Sequence, residues 1–209
     1  MDIFLIVIKF AVLGISLAAP IGPINLEMIK RGVTGGFYSS WLVGLGGMTA
    51  DIMFLLCILI GMEPFLQLEI IQISMYGIGS SLLLYLGFSS IMTNIKNNQI
   101  LTIDQPIQKN SFLVGFGIAA FNPINFVFWF GIFGSSIQSL IVHGWHIAFV
   151  GSIALLCGIF LWNLNIAFTV HFARTYIKDQ ILRVINLVAG LLLIIAAVPF
   201  LKSFFELVF

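Results

Sequence analysis

The residues of this chain best suited to chemistry are one aspartate, Asp51, and three asparagines attached to a phrase that occurs twice, Pro23-Ile24-Asn25 and Pro123-Ile124-Asn125. Asn122 directly precedes the second copy, and Pro20 and Gly22 precede the first. Proline has no N–H and clashes with the preceding turn, so each phrase should break an apolar helix. Gly22 relieves the backbone around the first break. Freed carbonyls before a break can meet a cation, and unpaired N–H groups after it, aided by the half-helix dipole, can meet a carboxylate. Asn25, Asn122 and Asn125 each donate and accept, which suits a zwitterion that must be bound and then released. A proline kink satisfied by its neighbours is the plainer account of one such segment. Two broken segments at corresponding positions instead point to the binding site of a secondary transporter, with Pro20, Gly22, Pro23, Asn25, Asn122, Pro123 and Asn125 as its residues.

Asp51 falls midway along an apolar stretch, where an aspartate costs about 2.5–3.5 kcal/mol on insertion scales and is functional by default. It is the candidate proton-coupling residue; the bland alternative is a structural acid hydrogen-bonded to the broken backbone. Ser40, Gly44, Gly47 and Asp51 recur at helical spacing, so a small-residue face leads to the carboxyl and admits another helix. Gly151, Ala154, Gly158 and Asn165 repeat such a face further on, with Asn163 beside it, and read as its partner. Asn163 and Asn165 are therefore secondary candidates. Glu27 is a third, although its place three and four residues before Lys30 and Arg31 favours an ion pair at the membrane interface.

The elements that must position these groups follow from composition. The chain has 209 residues, 60% of them hydrophobic and only 8% charged, with a mean hydropathy of +1.14. No soluble domain of this size presents so little charge, so the chain reads as an all-α integral membrane protein. A net charge of +1 with no basic run argues against a nucleic-acid partner. With about 20 apolar residues per span, six transmembrane helices are predicted: Ile3 to Met28, Phe37 to Gly61, Ile70 to Met92, Ser111 to Ile137, His146 to Val170 and Val184 to Phe205. The N-terminus lacks a basic region and reads as a retained first helix. His143, Trp145 and His146 suit an outer interface. Cys57 and Cys157 stand singly and suggest neither a metal nor a redox pair.

Lys30, Arg31, Lys96, Lys109, Arg174, Lys178 and Arg183 all fall in odd-numbered connections. The positive-inside rule then makes those connections cytoplasmic and places both termini outside. Residues 1–93 and 111–209 form two three-helix repeats joined by a cytoplasmic linker, 94–110, and three spans per repeat require the repeats to be inverted. An offset of one hundred positions aligns the two phrases, and also Leu55-Leu56-Cys57 with Leu155-Leu156-Cys157 and Gly44 with Gly144.

Pro20-Ile21-Gly22-Pro23, the run Gly44-Leu45-Gly46-Gly47 leading to Asp51, Tyr85-Leu86-Gly87 and Asn122-Pro123 together resemble the lysine exporter (LysE) family of translocators over nearly the whole chain. The sequence departs from many members in carrying Ile124 rather than lysine after Asn-Pro, and Ile21 between Pro20 and Gly22. The resemblance implies export of amino acids or similar small solutes across the bacterial inner membrane. Its expected partners are that solute, protons and lipid, with no cofactor or metal, and homo-oligomerisation is left open. No enzyme constellation or ATP-binding motif is present, so an ion or substrate gradient must supply the energy. A channel, or a thiol-redox carrier or accessory membrane subunit using Cys57 and Cys157, is the competing reading.

Overall fold

The structure is a computed structural model that describes residues 2–20, 22–61, 68–96, 110–176 and 179–208. These residues are helical, with no strand among them. In chain order the helices are α1 (Ile3–Ala18), α2 (Pro23–Leu59), α3 (Glu69–Lys96), α4 (Ser111–Ala120), α5 (Pro123–Val127), a π-helical turn (Phe128–Phe133), α6 (Gly134–Ile141), α7 (Trp145–Ala173), a 3-10 turn (Arg174–Tyr176) and α8 (Asp179–Val208). Most of the predicted linker, residues 97–109 with Pro106 and Lys109, lies outside the described residues.

Four helices are long and apolar enough to cross a membrane, and a fifth span results if the bent pair Ser111–Ala120 and Ile124–Phe130 is counted as one. The chain is thus a multi-pass all-α membrane protein. Its apolar side chains face outward as well as inward, as the exposed Phe4, Ile8, Phe149, Phe168, Val188 and Ile195 show. A helix apolar on every face belongs in lipid. The inner core gathers Phe10, Phe54, Phe126, Trp129, Phe133 and Leu155.

The first predicted span differs most from expectation. α1 is 16 residues long, about 24 Å at 1.5 Å per residue and short of the roughly 30 Å hydrocarbon core. The chain breaks after Ala18, and α2 begins at Pro23 and continues past the predicted first connection to Leu59. α2 is not straight. Gly36 has φ 73° and ψ −166°, and the helix doubles back there. A Cβ on Gly32 would touch Ser40, one on Gly44 would touch Met28, and one on Gly47 would touch Ile24. In a straight helix Ile24 and Gly47 would stand about 35 Å apart. The Arg174 guanidinium lies over Gly36, where a Cβ would come within 2.6 Å of Nη1. The positive φ favours glycine at Gly36, and an added Cβ would also have to push the Arg174 guanidinium aside.

Four helix pairs carry the packing: α1 with α7, α2 with α4, α2 with α7, and α3 with α8. Each meets at glycines. A Cβ on Gly14 would collide with the Leu155 carbonyl, and one on Gly158 with that of Ala11. Gly46 meets the carbonyl of Phe112, Gly115 that of Val43, and Gly87 and Gly190 meet each other's carbonyls. Small residues let backbones approach closely where lipid offers no hydrophobic drive for helices to associate. The predicted small face on α7 therefore serves α1 rather than the Ser40-to-Asp51 face. The constant offset of one hundred also fails beyond the breaks: Gly44 lies inside α2, whereas Gly144, at φ 123°, caps α7 from a turn.

Candidate functional site

Both breaks form where the prolines stand. α1 stops at Ala18 and α2 starts at Pro23, with Gly22 as N-cap; α4 stops at Ala120 and α5 starts at Pro123, with Asn122 as N-cap. The second break bends the chain by 64°. In a continuous helix the carbonyl of Ala119 would accept from residue 123, but proline has no N–H to give. Asn125 supplies a donor in its place, its Nδ2 lying 3.3 Å from the Ala119 oxygen, beside the Asn122 N–H at 3.4 Å. At the first break Asn25 also meets freed backbone, its Nδ2 lying 2.8 Å from the carbonyl oxygens of Ala18 and Pro20, which flank the Ala19 carbonyl that an N–H at residue 23 would have served. At both breaks the asparagine two residues after the proline thus donates to carbonyls at the end of the preceding helix or in the break, and at the second break it meets the carbonyl that the proline cannot serve. The asparagine donors expected to face a solute are largely taken up by the backbone, and each phrase's carboxamide oxygen keeps its accepting capacity.

Asn122 caps α5, its Oδ1 accepting from the Ile124 N–H at 3.0 Å. At the start of α2 the equivalent place belongs to Gly22, and no side chain caps that helix.

Between the breaks is a cavity of about 270 Å³, lined by Pro20, Gly22, Pro23, Asn25, Asp51, Asn122, Asn125 and Asn163, with Leu17, Ile24, Gly47, Ile124, Phe128 and Ile159 as its principal apolar wall. That size is just below the roughly 300–1,000 Å³ of drug-sized ligand sites. Among its described lining residues Asp51 alone is ionisable. Asp51 is 6% exposed, and its Oδ1 accepts from Asn125 Nδ2 at 3.0 Å and from Trp129 Nε1 at 2.8 Å. Both bonds fall on one oxygen. Neither donor carries a charge, so the carboxyl has no cationic partner among the described residues.

Of the secondary candidates, only Asn163 reaches the cavity. It is buried, and its Nδ2 lies 3.4 Å from the Gly44 carbonyl. Asn165 is exposed on α7 and accepts from Thr169 Oγ1 at 3.2 Å. Glu27 pairs with Lys30 at 2.9 Å and Arg31 at 2.6 Å, as its spacing predicts, and is itself fully enclosed by the protein. Arg31 also donates to Ser111 Oγ at 3.0 Å, tying the first arm of α2 to the start of α4. Cys57 is partly buried and Cys157 exposed, both as free thiols.

Trp129 is the site residue that sequence reasoning missed. It is fully buried, and a buried indole N–H seeks a partner. The cue in the sequence is a tryptophan six residues after Pro123. Helical spacing puts it on the face of Asn125, four residues earlier, and both side chains donate to Asp51.

Comparison with known proteins identifies a family. The family described as LysE type translocator matches residues 15–203. Over 198 residues the chain is 31% identical to YcgF of Bacillus subtilis, provisionally described as an amino acid efflux protein, and the match covers 93% of each chain. It is 30% identical over 121 residues to the chemotactic transduction protein ChpE of Pseudomonas aeruginosa, covering 57% of this chain and 59% of that one. No solved structure matches the chain.

Proposed function

Since the chain belongs to the LysE type translocator family, we propose that it exports an amino acid or similar small solute across the cell membrane, in exchange for protons, by alternating access around its two broken helices. The observation that carries this reading is the convergence of both Pro-Ile-Asn breaks and the lone carboxyl of Asp51 on one cavity. Buried ionisable groups and discontinuous helices mark substrate and proton paths in membrane transporters. On this reading Pro20, Gly22, Pro23, Asn25, Asn122, Pro123 and Asn125 frame the solute site, Asp51 carries the proton, and Asn163 adds a polar group.

Two inverted repeats, residues 1–93 and 111–209, supply the moving parts. The helix pairing supports this division: exchanging the halves turns the Gly14–Gly158 crossing into that of Gly115 and Gly46, and returns the Gly87–Gly190 crossing to itself. In this register Asp51 stands five residues after Gly46, as Asn163 does after Gly158. The acid of one repeat thus corresponds to an amide of the other. The basic residues of the odd connections favour a cytoplasmic location for the Gly36 turn and outward-facing termini. The cavity's mostly apolar wall is a poor lining for a channel.

The test begins by comparing small molecules released by cells overproducing the protein and by cells lacking it. Uptake of the identified solute into inverted vesicles is then measured for Pro23→Ala and Pro123→Ala. Both should lose transport at unchanged membrane abundance, because the restored N–H groups close the breaks. Near-normal uptake by both variants refutes a site at the breaks.

A further inference from the structure

The charge inventory of the cavity bears on which solute it takes. Asp51 is more than nine-tenths buried, both of its hydrogen bonds fall on Oδ1, and Oδ2 has no partner among the described residues. No Lys, Arg, His or second acid lines the cavity among the described residues. The other unmet polar feature is the start of α2, where Gly22 offers no side-chain cap while its counterpart Asn122 caps Ile124. The two features are close: Ile24 packs over Gly47, one helical turn before Asp51. A carboxyl at one end and an uncapped, positively polarised helix start at the other match an ammonium and a carboxylate on the same small molecule.

We propose that the cavity binds a neutral amino acid with an apolar side chain, its ammonium at Asp51, its carboxylate at the Gly22 end of α2, and its side chain against Leu17, Phe128 and Ile159. A second positive charge, as on lysine, or a second negative one, as on glutamate, would be buried there without a counter-charge. A cavity of about 270 Å³ has room for an amino acid of leucine's size. The same carboxyl then holds either a proton or the solute's ammonium, and this mutual exclusion couples their opposite movements. The inference rests on the transport reading above and adds the solute class and its orientation.

Gly22 provides a discriminating variant. Its φ of −106° and ψ of −176° suit any residue, and a Cβ would meet only the Pro20 oxygen, at 3.9 Å. Gly22→Ser should therefore fold normally while offering its own hydroxyl to the helix start. The assay is counterflow of radiolabelled L-leucine in proteoliposomes containing the full-length protein, with L-lysine, L-glutamate and 3-methylbutylamine, which is leucine without its carboxylate, as competitors. Lysine and glutamate should compete at least ten-fold more weakly than unlabelled leucine. Gly22→Ser should weaken leucine at least ten-fold while leaving competition by 3-methylbutylamine unchanged. Counterflow of lysine in place of leucine, lost in Asp51→Asn, would overturn this inference and leave the transport reading standing. Equal weakening of leucine and the amine by Gly22→Ser would overturn the orientation. Movement of no amino acid at all would overturn both the inference and amino acid export.

Discussion

If Asn125 replaces the donor that Pro123 removes, the energetic effects of the two residues must be coupled. Asn125→Ala takes away the 3.3 Å bond to the Ala119 carbonyl and the 3.0 Å bond to Asp51 Oδ1. The Ala119 carbonyl keeps its 3.4 Å bond from the Asn122 N–H, so neither acceptor is left wholly unpaired, and polar contacts between membrane helices average about 0.6 with a ceiling near 1.7 kcal/mol each. Two lost bonds should therefore destabilise the protein by about 1–3 kcal/mol. In a Pro123→Ala background residue 123 has an N–H to offer the Ala119 carbonyl, and only the bond to Asp51 remains to be lost. The cost of Asn125→Ala should then fall by about half, giving a coupling of about 0.5–1.5 kcal/mol. Equilibrium unfolding of the four purified proteins in mixed micelles measures this double-mutant cycle. Strictly additive effects would show that Asn125 does not stand in for the proline's missing donor.

The glycine crossings give a second prediction. Gly46→Ala and Gly158→Ala each drive a methyl group into a facing backbone carbonyl, so each should destabilise by about 1–3 kcal/mol in the same unfolding assay, whereas Gly22→Ala, where a Cβ would meet only the Pro20 oxygen at 3.9 Å, should meet no such clash; stability unchanged at Gly46 and Gly158 would contradict the close approach of α2 to α4 and of α1 to α7. For topology, reporter fusions at Asn97 and Asp179 should report cytoplasm and fusions at Glu63 and His143 the outside, with Asn97 and Glu63 lying outside the described residues. The reverse pattern would invert the proposed orientation of the repeats.

The parts of this molecule that were legible in the sequence are those fixed by covalent chemistry or by the cost of burial. A proline inside an apolar stretch has no N–H wherever the helix goes, so both breaks were located to within a few residues. Asp51 stood out because lipid tolerates an isolated acid poorly. What spacing could not show was which helix each face would meet. Gly151 and Gly158 read as the partner of the Ser40-to-Asp51 face, yet they pack on α6 and α1, and it is Asn163 that meets Gly44. On the proposed repeats, the register also departs from a constant offset. The two phrases are 100 positions apart but the matching glycines Gly46 and Gly158 are 112 apart, because the second half carries a longer connection through the π-helical turn, α6 and the turn at Gly144. A constant offset therefore aligned a helix interior with a turn. Glu27 was read correctly as an ion-paired acid but not as a buried one, since its enclosure depends on α2 doubling back at Gly36.

The central claim is that a proton and the solute exchange at Asp51, and Asp51→Asn tests it most directly. Asparagine keeps the side chain's volume and an oxygen able to accept from Asn125 and Trp129, while losing the titratable proton and the charge. In inverted vesicles energised by a proton gradient, with the solute from the release screen as the labelled probe, the variant should reach wild-type abundance and show no gradient-driven uptake. Undiminished gradient-driven uptake by Asp51→Asn would contradict the account.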